Sequence, residues 1–202
     1  MIFIIELYTI VTMNWLFITP IVLDYCAYPI GRTIYDSTLR HTNEFIRVPR
    51  KPIYLVLDNV YDTYNIGSIF RIADSIGVSK IIICGIGVTP PNNKIRKASV
   101  GSCQTVEWEY FEKTSDAIDA LRKIPDMSIC ALEQDKNSVP FHNCLLHYPY
   151  TIVLGNESSG VSKSVLESCD KIIEIPMYGV CNSLNVMISS AIALYHLEHT
   201  MM

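Results

Sequence analysis

The chain has 202 residues, half of them apolar, and a formal net charge of −4. That is enough for one domain with a full core, and it excludes a disordered chain. It also excludes a globally basic nucleic-acid binder, so an RNA or DNA partner needs a local basic patch.

In chain order, residues 2–23 come first: strongly apolar, with Glu6 as the single charge. A membrane anchor or signal segment has such a composition, but there is no basic leading region and no small-residue cleavage site. Thr12, Asn14, Thr19 and Pro20 also interrupt the run. We read it as a packed N-terminal element, with Met13 as an alternative start, and expect no membrane partner. Residues 31–51 are polar and partly basic (Arg32, Arg40, Arg47, Arg50, Lys51) and suggest a short helix and a lead-in loop.

From Pro52 on, strands and helices alternate. Ile53 to Leu57 is an apolar run that predicts a buried strand, Ile66 to Ile76 a helix, and Lys80 to Cys84 a second strand. GIGVTPPNNK predicts a turn-rich loop and Thr105 to Trp108 a short strand. A helix is expected from Thr114, with Asp116 in its first turn and Pro125 past its end. Met127 to Leu132 and Tyr150 to Leu154 predict strands, and Ser162 to Ser168 a helix. Ile172, Ile173 and Ile175 predict a strand running into a Pro-Met-Tyr-Gly loop. Ser183-Leu184-Asn185 then opens a long apolar helix, with Leu184, Met187, Ile188, Ala191 and Tyr195 as its expected buried stripe. Apolar strands separated by helices indicate a mostly parallel α/β sheet covered on both faces. The expected organisation is one domain over 51–202 behind an extension over 1–50.

Seven cysteines, an odd number without a Cys-x-x-Cys pair, point to reduced thiols in a cytosolic protein. His142 and Cys144 are close, but no second pair has zinc spacing, so no metal site is expected.

Three segments stand out. Asn65-Ile66-Gly67-Ser68-Ile69-Phe70-Arg71 follows a strand, and Asn65 has the chemistry of a helix N-cap. Arg71 falls off the apolar stripe of that helix; on its own it reads as a solvated arginine. Gly155-Asn156-Glu157-Ser158-Ser159-Gly160 lies between a strand and a helix, at the sheet edge where open α/β folds bind ligands, with Ser162 as an expected cap. No Gly-Lys-Ser/Thr follows, so it is not a phosphate loop. The third segment is Ile172 to Tyr195, where Ser183 and Asn185 are also natural caps.

NIGSIFRIADSIGV, IVLGNESSGVS and IEIPMYGVCNSLNV, in this order, resemble the three motifs of the SpoU/TrmH family within the SPOUT superfamily. The resemblance spans about residues 50–199. It implies an RNA methyltransferase that uses S-adenosylmethionine and methylates a ribose 2′-hydroxyl, with a C-terminal deep trefoil knot and a homodimeric assembly. By the same resemblance, Arg71, Asn65, Glu157, Ser183 and Asn185 are the catalytic set. Ala131, Leu132, Leu154, Gly155, Asn156, Ile175, Met177 and Leu184 hold the methyl donor. The family view makes Arg71 a general base, but a guanidinium with a pKa above about 12 is a poor one. Anchoring a phosphate or stabilising an alkoxide suits it better. Two segments depart from the family pattern: Ser158 stands where many relatives have glycine, and Met187 and Ile188 interrupt a small-residue run.

Lys94, Arg96 and Lys97, with Arg40, Arg47, Arg50 and Lys51, are the candidate RNA-contacting patch, and transfer RNA is favoured over ribosomal RNA. Two other readings are a catalytically silent RNA-binding module of the same fold and a nucleotide-binding oxidoreductase. The second rests on Gly85-Ile86-Gly87 and lacks the third glycine of its motif.

Overall fold

The computed structural model describes residues 49–200. The expected N-terminal element, and with it Arg40 and Arg47, lies outside the described residues. The elements are β1 (Lys51–Asp58), α1 (Thr63–Ile76), β2 (Val78–Cys84), α2 (Asn93–Ser99), β3 (Glu107–Phe111) and α3 (Thr114–Leu121). They continue with β4 (Ser128–Leu132), β5 (Val139–Pro140), β6 (Tyr150–Leu154), α4 (Lys163–Ser168), β7 (Lys171–Glu174) and α5 (Val186–Thr200).

One seven-stranded sheet runs β3-β2-β1-β6-β4-β7-β5, and all its neighbouring strands are parallel. Leu55 sits between Ile81 of β2 and Ile152 of β6. Alternate residues of β1 feed two cores: Leu55 and Leu57 join Ile66, Phe70, Ile95 and Leu194 on one face, and Val56 joins Ala117, Ile118 and Val165 on the other. Helices α1, α2 and α5 therefore cover one face, and α3 and α4 the other, as the unbroken apolar strands require. Burying one such Ile or Leu side chain contributes about 1.5–3 kcal/mol, so these two cores dominate stability.

Helix α1 begins at Thr63, two residues before Asn65, and its cap is Asp62. The Asp62 carboxylate accepts from the N–H groups of Tyr64 (2.7 Å) and Asn65 (3.1 Å). Asn65 is thus an internal helical residue with its side chain released for other bonds. Gly77, at φ 88°, ends the helix. Gly67 lets α1 and α2 touch. A Cβ there would lie 2.5 Å from Ala98 Cβ and 2.8 Å from Ile95 O, closer than packed atoms approach.

Helix α2 takes in the last two residues of the expected loop and the five that follow it. Asn92 caps it by accepting from Lys94 N (2.8 Å) and Ile95 N (3.2 Å). Strand β3 begins at Glu107, two residues later than expected, because Thr105 is held by its hydroxyl donating to Asp74 Oδ1 (3.0 Å). The two-residue β5 pairs with β7 and has no counterpart in the sequence reading.

The buried face of α5 is also corrected. Ser190, Ala193, Leu194, Leu197 and Glu198 point inward, whereas Ile188, Ile192 and Tyr195 are exposed. A helix apolar on all sides does not choose its inner face by hydrophobicity. Glu198 fixes it: its carboxylate accepts from Tyr150 OH (2.9 Å), Tyr148 OH (2.9 Å) and Lys51 Nζ. A buried carboxylate needs such donors. Burial first, and then the Glu198 carboxylate, pushes the Tyr150 phenol far up. Arg50 is likewise tied inward, to Asp74 Oδ1 at 2.6 Å and Thr105 O at 3.2 Å. Arg50 and Lys51 are therefore internal ties and leave the proposed phosphate patch. Among the described residues no helix is long and apolar enough to cross a membrane.

Candidate functional site

The carboxyl ends of β1, β4, β6 and β7 open onto one edge of the sheet, where the three motif segments lie. The loop over 155–162 is closed by its own bonds. Asn156 N donates to Gly160 O (3.0 Å) and Gly160 N to Asn156 O (2.9 Å). The Asn156 side chain accepts from Ser158 N (2.9 Å) and Ser159 N (3.0 Å) and donates to Asn59 O (2.8 Å). A Cβ on Gly155 would overlap the Gly160 carbonyl carbon and Val161 N, so no other residue fits there. Ser158 is exposed and does not take a positive φ, so serine in place of the family glycine leaves the backbone unstrained.

Two strand-end carboxylates clamp the loop. Glu133 Oε2 accepts from Val161 N (2.8 Å). Asp58 Oδ2 accepts from Ser162 N and Ser162 Oγ (both 2.8 Å), and Asp58 Oδ1 accepts from Thr114 Oγ1 (2.6 Å). Ser162 stands at the cap position of α4, but its hydroxyl bonds Asp58 and no helix amide. Under this loop, burial pushes the Cys84 thiol up to about 12; a hydrogen bond with Thr114 opposes the shift and the Asp58 charge adds to it. It stays a neutral thiol.

Asn65 joins the three motifs. It is 6 % exposed. Its Nδ2 donates to Glu157 Oε1 (2.9 Å) and its Oδ1 accepts from Asn185 Nδ2 (3.0 Å). Glu157 Oε1 also accepts from Asp62 N (3.2 Å). A carboxylate only accepts, so Asn65 turns its NH2 toward Glu157 and its oxygen toward Asn185. Asn185 Oδ1 accepts from Met187 N (2.9 Å), capping α5 as expected. The chain Glu157–Asn65–Asn185 is continuous. Arg71 lies further along α1, exposed and without a side-chain partner among the described residues. Ser183 and Leu184 are exposed beside Asn185.

The segment over 175–184 behaves differently. Its main chain takes part in one hydrogen bond among the described residues, from Gln134 Nε2 to Asn182 O (2.6 Å). It borders a cleft of ≈ 340 Å³ lined by Gln134, Glu174, Ile175, Met177 and Asn182, among others. Apolar side chains and unspent backbone donors and acceptors suit an adenosine-bearing ligand. Leu132 is half-buried at the end of β4, Gly155 is buried in the closed loop, and Ala131 and Leu154 lie sealed within the core. Ala131 and Leu154 therefore form the floor beneath the loops, with their side chains turned into the core. Lys94, Arg96 and Lys97 are exposed on α2. The residues missed in the sequence are Asp58, Asp62, Glu133 and Gln134. Asp58 and Glu133 carry a usable signal: each ends an apolar strand, LVLD and CALE, where a carboxylate meets the first loop amides.

The SpoU rRNA Methylase family profile matches residues 52–195. The chain is 30% identical over 168 residues to the tRNA (guanosine(18)-2′-O)-methyltransferase of Aquifex aeolicus, covering 82% of this chain and 77% of that enzyme. It is 33% identical over 144 residues to the 23S rRNA (guanosine-2′-O-)-methyltransferase RlmB of Blochmanniella floridana, covering 71% of this chain and 56% of that enzyme. Over most of the curated relatives it matches, the chain spans a little more than half their length. The crystal structure of the A. aeolicus TrmH/SpoU tRNA modifying enzyme superposes with TM-score 0.67 at 31% identity, covering 75% of this chain and 76% of that one. The AdoMet-bound rRNA methyltransferase of Sinorhizobium meliloti superposes with TM-score 0.70 at 26% identity, covering 76% and 59%. With the three motif segments meeting at Asn65 and a matched span of 52–195, the chain belongs to the SpoU family of RNA methyltransferases.

Proposed function

We propose that the protein transfers a methyl group from S-adenosylmethionine to a ribose 2′-hydroxyl of an RNA, with transfer RNA favoured over ribosomal RNA. The observation that carries this reading is the Glu157–Asn65–Asn185 chain on a helix that also presents Arg71, exposed and without a side-chain partner among the described residues. The donor supplies a methyl carbon already activated by its sulfonium sulfur. The protein then has to hold the ribose oxygen in line and ease loss of its proton. Asn65 and Asn185 are fixed by Glu157 and by the α5 cap, so they orient polar partners at little entropic cost. Arg71, with no partner to give up among the described residues, anchors an RNA phosphate and stabilises the developing alkoxide, and a phosphate oxygen or water takes the proton. Ser183 lies next to this group and contacts the ribose. The main chain of 175–182 and Leu184 hold the donor above the floor of Ala131, Leu132, Leu154 and Gly155.

Lys94, Arg96 and Lys97 meet further phosphates. The family resemblance supports a trefoil knot in which the 155–162 and 175–185 loops lie side by side. Exposed Ile188, Ile192 and Tyr195 on α5 support a homodimer with that face buried. The larger fraction shared with the Aquifex tRNA enzyme supports transfer RNA.

The direct test compares RNA nucleosides by mass spectrometry in cells with and without the gene; loss of one 2′-O-methylnucleoside names the substrate. In vitro, Arg71→Ala binds S-adenosylmethionine normally by titration calorimetry and loses methyl transfer by on the order of 10²-fold or more. Full turnover in that variant removes Arg71 from the mechanism.

A further inference from the structure

Tyr64 is the residue of α1 that the reaction scheme leaves unused. Its side chain is 63% exposed, and its hydroxyl has no partner among the described residues. Its backbone is nevertheless fixed, because Tyr64 N donates to the Asp62 carboxylate at 2.7 Å. It directly precedes Asn65. On a helix, residues at i, i+4 and i+7 share a face, so Tyr64, Ser68 and Arg71 form one stripe. That stripe is solvent-facing, since Tyr64 and Arg71 are exposed and Ser68 is half-exposed. Seven residues of helix rise about 10 Å, comparable to the span from a nucleotide's phosphate to the far edge of its base. The apolar side of α1, by contrast, is consumed by Ile66, Ile69, Phe70 and Ala73.

We infer that Tyr64 is the stacking platform for an unpaired base of the RNA substrate, next to the ribose that Asn65 and Arg71 address. An aromatic ring held at a fixed backbone position gives a base a flat apolar surface at low entropic cost, and single-stranded RNA is recognised in this way. A second tyrosine three residues earlier, Tyr61, is also exposed, at 47%. The methyl is transferred to the ribose and not to the base, and an aromatic face is one means of holding the target nucleotide out of its neighbours' stack. This inference rests on the RNA methyltransferase reading above. It adds the class of substrate geometry, an unstacked nucleotide in a loop or single strand, and the residue that selects it.

The test uses the full chain and its Tyr64→Phe and Tyr64→Ala variants. RNA binding is read by fluorescence anisotropy with a labelled single-stranded RNA of about a dozen nucleotides and mixed sequence, a length within ordinary single-strand site sizes. Affinity for S-adenosylmethionine, sedimentation and methyl transfer to unmodified bulk RNA are measured beside it. Stacking predicts that Tyr64→Ala weakens RNA binding about 10- to 100-fold, raises KM more than it lowers kcat, and leaves donor affinity and oligomeric state unchanged. Tyr64→Phe stays within about threefold, because the ring and not the hydroxyl carries the contact. Equal RNA affinity in Tyr64→Ala overturns the inference. So does a matching loss in Tyr64→Phe, or a change of oligomeric state in Tyr64→Ala, which would make the residue an interface contact. Wild-type protein that binds RNA through Tyr64 but transfers no methyl group overturns the enzyme reading alone.

Discussion

The 155–162 loop spends its hydrogen bonds on itself and on Asp58, Asn59 and Glu133, whereas the main chain of the 175–184 loop has one among the described residues, from Gln134. Both leave the same sheet edge, and both carry a family motif. The first is finished before any ligand arrives, and its shape is a precondition of binding. Among the described residues the second leaves most of its backbone groups unpaired, and on the proposed function the methyl donor completes it. A closed loop and an unsatisfied stretch of backbone leaving the same sheet edge are an arrangement that gains order on binding.

The strongest way to break this contrast is to spoil the finished loop. Gly155→Ala forces a methyl into the Gly160–Val161 backbone, which cannot swing aside. We expect a loss of about 3 kcal/mol, roughly 6–12 °C in Tm, read by thermal unfolding, together with loss of donor binding by calorimetry. Asn65→Ala comes next. It strips one partner from each of Glu157 and Asn185, and we expect about 1–3 kcal/mol of destabilisation and on the order of 10²-fold slower methyl transfer. Unchanged turnover would show that the bonded chain is structural only.

On the open loop the expected effects are smaller and of a different kind. Gln134→Ala removes its one main-chain tie among the described residues, so Tm stays within about 1 °C while donor affinity changes about three- to tenfold, the value of one hydrogen bond. Amide exchange sharpens the same contrast without mutation. The amides of Ser158, Ser159, Gly160 and Val161 exchange slowly in the free protein, and those of Met177 to Leu184 exchange fast and slow down on adding S-adenosylmethionine. If both sets were protected without the donor, the contrast would fail.

The smallest effect lies away from both loops, at Asp170. Burial opposes its ionisation, but the Arg122 guanidinium and the Ile129 N–H (2.7 Å) outweigh it and hold the carboxyl below its usual value. A lowered folded-state pKa contributes stability that is present above the unfolded pKa of about 4 and is lost as pH falls below it. The side chain is 39% exposed, so solvent screening keeps the contribution near or below about 1 kcal/mol. Urea midpoints of wild type and Asp170→Asn should differ slightly at pH 7 and converge near pH 3.

How much of this was legible beforehand depends on where each residue's partners lie. The strands were readable because Ile53 to Leu57 and Tyr150 to Leu154 are apolar on both faces, as only a covered parallel strand is. Helix α2 was not, because NKIRKAS buries just Ile95 and Ser99 and is held by its fit against Gly67. The motif residues were recognisable by type and spacing, but the Asn65 side chain was assigned to a cap that Asp62 provides. Both residues have cap chemistry, and only the tertiary partners Glu157 and Asn185 decide between them. The inner face of α5 depended on Glu198 meeting two tyrosines and a lysine far off in sequence.

The close contact of Gly67 with Ala98 and Ile95 has a consequence for scale. Two helices with no room for one methyl between them cannot slide or splay independently. Tyr64, Arg71 and the α2 cations are therefore marks on a single ruler. On the proposed function, a bound RNA strand has to bring its own phosphate spacing to that ruler, which would make the pair a gauge of nucleic-acid conformation as well as a source of charge.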